Sequence, residues 1–143
     1  MIQTKTKILV KDNSDFLNAI CINIGVKKSA TVGSSIKASI YKMKSSLNNN
    51  TSLKNAAENA KQSLQYLLIV QTKTPIVRAD GSSLHFNSNS GVSILLKKTG
   101  TKRQHLLGFK RINTAVPFEL KNREYMEKIK GAPNVIKLAK HLL

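Results

Sequence analysis

A single cysteine, Cys21, stands in this chain of 143 residues. One thiol forms no intramolecular disulfide and supplies no multi-cysteine zinc site, so neither device holds the fold together. Acidic residues are also scarce: seven Asp and Glu stand against 24 Lys and Arg. That shortage excludes a calcium buffer and argues against an active site built from several carboxylates. Long apolar runs are missing too. Leu67–Val70 and Ile94–Leu96 fall far short of the roughly 20 residues that a spanning helix needs. No apolar stretch follows Met1, so no secretory signal is expected. Tryptophan is absent, yet 41% of the residues are apolar, which is enough for a modest aliphatic core.

What the chain has in excess is positive charge, formally +17, with 20 of the 24 basic residues Lys and four Arg. Charge of this size is a statement about partners, because a small domain repels itself unless a polyanion neutralises it. The cations are dispersed: Lys5, Lys7 and Lys11, then Lys27 and Lys28, Lys42 and Lys44, Lys97 and Lys98, Lys102 and Arg103, Lys110 and Arg111. Any one pair reads as a solvated face. Together they suit a surface wrapped by folded RNA better than a single reading helix in duplex DNA.

Hydrophobic periodicity reads mainly β. Ala19–Gly25 alternates, with Ile20, Ile22 and Ile24 on one face and Cys21 and Asn23 on the other. Ser35–Lys42 does the same, placing Ile36, Ala38 and Ile40 inward. Leu64–Gln71 is an almost continuous apolar run, the pattern of a strand buried on both faces. Val77–Phe86 predicts a hairpin turned by Asp80–Gly81, and Val92–Leu96 a further strand. Several short strands separated by turns predict a small barrel. Two stretches depart from this pattern. Ser45–Gln65 spaces Leu53, Ala57, Ala60 and Leu64 as a helical stripe of low charge, predicting an inserted helix. Near the C-terminus Tyr125, Met126 and Ile129 mark a short helix capped by Asn122 and stopped by Gly131. Pro133 then opens a second helix carrying Val135, Ile136, Leu138 and Leu142. The expected organisation is a barrel over residues 1–121, interrupted at 45–65, and a helical extension over 122–143 packed on it.

No catalytic constellation emerges. Cys21 sits mid-strand among apolar neighbours, the place of a buried structural thiol rather than a nucleophile. His85, His105 and His141 lack partners at metal-ligand or triad spacing. Asp12, Asp15 and Asp80 lie at turn-like positions, where capping of the backbone explains them. Gly81 and Gly91 form no phosphate cradle after a strand. The sequence therefore predicts neither an enzyme nor a cofactor.

An ordered set of residues does resemble a known family. The chain opens Met1-Ile2-Gln3 and continues with Val10, Asp12-Asn13-Ser14, Cys21-Ile22, Val32-Gly33 and Ile36-Lys37. Next come Leu67-Leu68-Ile69-Val70, Asp80-Gly81, Phe86, Asn89 and Val92. The set closes with Arg111-Ile112, Val116, Glu119-Leu120, Met126, Ile129 and Ala132-Pro133. In order and spacing this resembles the universal large-subunit ribosomal protein fourteen family over nearly the whole chain except 45–65. There are departures. Asp15 stands where the family commonly has Gly, Leu67 replaces a small residue and Ser93 an aliphatic one. Asn113-Thr114-Ala115 occupies the place of a Phe-Gly-Pro turn, and the insertion replaces a basic Gly-containing loop.

The resemblance implies a five-stranded β-barrel with C-terminal helices, lying on large-subunit rRNA near the subunit interface. It implies a neighbour of the large-subunit protein nineteen family, a bridge to small-subunit rRNA and a docking place for a ribosomal silencing factor. Under that reading the RNA contacts are Asn13, Lys42, Lys44, Lys73, Arg78, Lys97, Lys98, Lys102 and Arg103. The protein interface comprises Lys110, Arg111 and Tyr125. For Arg111 the plainer alternative is a surface pair with Glu119 or Glu124. For the whole chain the alternative is a free nucleic-acid-binding barrel, against which Tyr66, Phe86 and Phe109 form no base-stacking strand face. Abundant Lys, Asn and Ile suit an AT-rich genome. With the divergence, this points to a mitochondrial and organelle-encoded protein, bacterial cytoplasm and plastid being the alternatives. No presequence is visible before the family's own N-terminus.

Overall fold

The computed structural model describes residues 1–26, 28–44, 64–99, 102–107, 111–121 and 133–143, with side chains except at 95–99, 102–107, 133 and 134. In chain order the strands are β1 (Lys7–Val10), β2 (Phe16–Asn23), β3 (Ser35–Met43), β4 (Leu64–Gln71), β5 (Ile76–Val77), β6 (Ser83–Leu84), β7 (Ser90–Thr99), β8 (Lys102–Leu107) and β9 (Ile112–Val116). A 3-10 turn (Phe118–Lys121), the helix α1 (Pro133–Leu138) and β10 (Ala139–Leu142) follow.

Five strands close a barrel. Strands β1, β2, β3, β4 and β7 pair antiparallel in succession. The ring shuts where β1 meets β7 in parallel, Leu9 opposite Ser90 and Val10 opposite Gly91. Gly91 fits this junction because a Cβ there would lie 3.1 Å from the Leu68 carbonyl oxygen. In β3 the inward row is Ile36, Ala38 and Ile40, as the alternation predicts. In β2 the alternation is present, but the buried face is Ala19 and Cys21, while Ile22 is 47% exposed. Register explains this. Cys21 lies opposite Ala38 and Ala19 opposite Ile40, and strand pairing carries the whole inward set together. A small barrel has room there for small side chains.

Strand β4 is buried on both faces, and each face belongs to a different core. Leu67 and Ile69 join Ile2, Ile8, Val10, Ile36 and Ile40 inside the barrel. Leu68 and Val70 join Val92, Ile94, Ile112, Val116, Leu120 and Val135 on its outside. The last four come from the C-terminal segment, which covers the outer face of β4 and β7. Gln71, buried at the end of β4, ties the layers together. Its Nε2 donates to Thr114 Oγ1 and to the Ala115 carbonyl (both 2.8 Å), and its Oε1 accepts from Ser90 Oγ at 2.7 Å.

The Asp80–Gly81 hairpin forms as expected. Strands β5 and β6 pair antiparallel, and Gly81 takes a φ of +82°, which L side chains rarely adopt. Elsewhere the structure corrects the sequence reading. Leu64 and Gln65 belong to β4 rather than to an inserted helix; the rest of that helix lies outside the described residues. The first C-terminal helix, around Tyr125, also lies outside them. The second ends at Leu138, and Leu142 is in β10, which pairs parallel with β9. Nothing local in Ala-Lys-His-Leu signals that change, which the open edge of β9 imposes. Asn113-Thr114-Ala115 accordingly runs as strand rather than turn. Strand β7 continues past Leu96 to Thr99 and pairs with β8, which apolar periodicity did not reveal in so polar a stretch.

Candidate nucleic-acid interface

The loop after β1 is held from three sides. Asp12, only 1% exposed, accepts at Oδ1 from the Ser14 N–H (2.8 Å) and hydroxyl, the expected cap of a turn. Its Oδ2 reaches into the barrel and accepts from the Ser93 N–H (2.7 Å) and Oγ (2.8 Å). From β3's end the Lys44 ammonium donates to the carbonyls of Asp12 (2.9 Å) and Ser14, and the Lys44 N–H donates to Asp15 O at 2.9 Å. Beside it Asn13 and Arg111, 98 residues apart in sequence, exchange bonds. Asn13 Oδ1 accepts from the Arg111 N–H, and the Asn13 N–H donates to the Arg111 carbonyl (both 3.2 Å). Asp12 bridges Ile112 antiparallel, and Asn113 N–H donates to Lys11 O. Two of the expected RNA contacts, Asn13 and Lys44, thus meet the expected protein contact Arg111 at one exposed corner.

Three of the four described acids, Asp12, Asp80 and Glu119, accept hydrogen bonds within the fold, and Asp15 is exposed. Asp12 serves the loop just described. Asp80 accepts from Ser82 N–H (2.8 Å) and Oγ (2.6 Å), which lowers its pKa, and so closes its own turn. Glu119 is bonded by Arg78 in the single ion pair among the described residues. Arg78 also donates to the Leu143 carbonyl at 3.0 Å. Arg78 therefore braces the hairpin against the C-terminal segment, and Glu119 is the partner of Arg78, not of Arg111.

That brace should be acid-sensitive. The Arg78 hydrogen bond holds the Glu119 carboxyl below the usual glutamate range. A carboxyl depressed in the folded state adds stability that is complete above about pH 5 and fades as pH falls through its folded pKa. Acid titration should loosen the β10 backbone amides before the barrel amides, read by hydrogen exchange. In Glu119→Gln that early acid phase should vanish.

The remaining expected residues are dispersed. Lys42 is exposed on β3 opposite Asn18. Lys73 is exposed, its N–H donating to Asn89 Oδ1 at 3.0 Å. Lys97 and Lys98 lie on β7 and Lys102 and Arg103 on β8, with Lys98 opposite Arg103 and Lys97 opposite Gln104. Lys110 and Tyr125 lie outside the described residues. Cys21 is buried, and that burial raises its thiol pKa, the opposite of what a nucleophile needs. Among the described residues no cluster of His, Cys, Asp and Glu could hold a metal ion, and no helix is long and apolar enough to cross a membrane.

The sequence profile of the family described as ribosomal protein L14p/L23e matches residues 1–136. The chain belongs to that family. It is also similar to the large ribosomal subunit protein uL14c of Helicosporidium sp. subsp. Simulium jonesii, 33% identical over 139 residues, spanning 95% of this chain and 100% of that protein. Similar again is the large ribosomal subunit protein uL14m of Neurospora crassa, 29% identical over 135 residues, 93% of this chain and 98% of that one. Membership makes the protein a structural constituent of the large ribosomal subunit by class, not an enzyme class. At the corner of Asn13 and Arg111 the bond between Ser93 and Asp12 was not legible in the sequence. Ser93 was visible only as a polar residue in an aliphatic place, and the inward reach of Asp12 had no local signal at all.

Proposed function

We propose that the protein packs against large-subunit rRNA near the subunit interface of an organellar ribosome. The observation that carries this is charge accounting. Asp12, Asp80 and Glu119 are engaged within the fold, and the +17 is already net of all seven acids, so it falls to an external polyanion. Folded rRNA is the polyanion that a ribosomal protein meets, and loop cations with exposed polar groups suit phosphate and sugar contacts. The corner at Asn13 and Arg111, the exposed Lys42 and Lys73, and the β7–β8 hairpin with Lys97, Lys98, Lys102 and Arg103 are the assigned RNA-facing elements. Arg78, braced by Glu119, acts through the hairpin it positions. Arg111, expected from sequence at the protein interface, is taken here for RNA, while Lys110 and Tyr125 are assigned to protein neighbours: a member of the nineteen family and a silencing factor, beside a bridge to small-subunit rRNA. Relatives named for chloroplast-type and mitochondrial-type ribosomes support an organellar setting, and the Lys-rich composition favours the mitochondrion.

The test is co-sedimentation from organelle lysate. The tagged full chain should travel with large subunits and stay bound through a wash at about 0.5 M salt, because contacts with the shape of folded rRNA and with neighbouring proteins persist where salt weakens the phosphate contacts. Recovery in the free fraction, with RNA of every kind, would instead favour the free nucleic-acid-binding barrel.

A further inference from the structure

Two departures from the family pattern, Asp15 for Gly and Ser93 for an aliphatic residue, fall at the same corner of the fold. Where Gly serves a turn it commonly supplies a positive φ. Among the described residues the single non-glycine with positive φ is Lys5, so Asp15 has an ordinary backbone. The turn is therefore held by side chains. Ser93 fixes one oxygen of Asp12 by two bonds, Ser14 fixes the other, and Lys44 ties down two carbonyls. A lysine ammonium has three N–H donors, and two of those on Lys44 point into the protein. Arg111 is exposed, and its backbone is held on both its N–H and its carbonyl by Asn13.

We propose that Lys44 is a positioning residue rather than a phosphate contact. With Ser93 it locks the Asp12 turn, so that Asn13 holds Arg111 where its guanidinium meets an RNA phosphate. This rests on the rRNA reading above. A planar guanidinium can bind a phosphate through two parallel bonds, and a backbone already held, as Asn13 holds that of Arg111, lowers the ordering cost of the contact. A loose turn would forfeit the contact without touching Arg111.

The experiment measures binding of the full chain to protein-free large-subunit rRNA across a series of KCl concentrations, for Lys44→Met, Arg111→Gln, the double variant and Ser93→Ala. Each charge-removing single variant should lower the log–log salt slope by about 0.7–0.9, one contact's worth, and the double variant by no more than that. Ser93→Ala removes no charge, yet should shift the slope in the same direction. Circular dichroism melts establish which variants are folded. Should Lys44→Met fail to fold, Lys44→Arg replaces it. That variant keeps the charge but cannot reproduce the compact ammonium between two carbonyls, and should still weaken binding about threefold or more. A double-variant slope loss twice that of either single, an unaltered Ser93→Ala, or a fully active Lys44→Arg overturns the positioning role. A wild-type slope near zero would overturn the rRNA reading itself, whereas a steep wild-type slope with additive losses overturns only this inference.

Discussion

Leu68→Ala should cost the protein about 2–5 kcal/mol in denaturant unfolding. The residue is fully buried where the outer face of β4 meets Ile112, Val116, Leu120 and Val135. The vacated volume has β4 backbone on one side and the C-terminal segment on the other, so collapse can only come from the latter. Hydrogen exchange should therefore quicken first in β9 and β10. Leu67→Ala, one residue away, empties the barrel interior instead and should quicken β1 and β2. If both variants loosened the same strands, the two-core description of β4 would fail.

Asp12→Asn is the second large effect, despite its conservative shape. The carboxylate accepts from four donors, the N–H and hydroxyl of Ser14 and of Ser93. An amide has one accepting oxygen and one NH2. Whichever way it turns, a backbone N–H faces its NH2: that of Ser93 in a buried place, or that of Ser14 in a part-buried one. Hydroxyls can rotate to accept, but backbone N–H groups cannot. The expected loss is about 2–3 kcal/mol, the scale of a buried charge-assisted bond replaced by an unsatisfied donor. Chemical denaturation reads it directly; an unshifted midpoint would show that the carboxylate does not hold the loop.

Much of the barrel was legible because strand burial leaves period-2 traces. The inward row of β3 and the two-sided burial of β4 could be read from Ile36, Ala38, Ile40 and from Leu67–Val70. The Asp80–Gly81 turn was legible because its backbone geometry demands particular residues. Strand β2 shows the limit. Its alternation was visible, but which face turned inward depended on pairing with β3, and the isoleucines went outward. For β8 and β10 the decisive fact was an available partner edge, and polar residues in a paired strand carry no such trace.

The candidate interface divides in the same way. By itself the sequence determined the net charge, the barrel and the family's ordered signature, since these depend on residue types and spacings along the chain. Only the tertiary structure decided where the side chains of Lys44 and Arg78 are held. Lys44 and Arg78 read from sequence as phosphate ligands; folding sets Lys44 on two carbonyls and Arg78 on Glu119. Asn13 and Arg111 became neighbours only when the loop after β1 bridged β9. A charge has the same formula wherever it stands. Whether it faces a phosphate or a carbonyl depends on distances of a few ångströms, set by chain segments far apart in sequence.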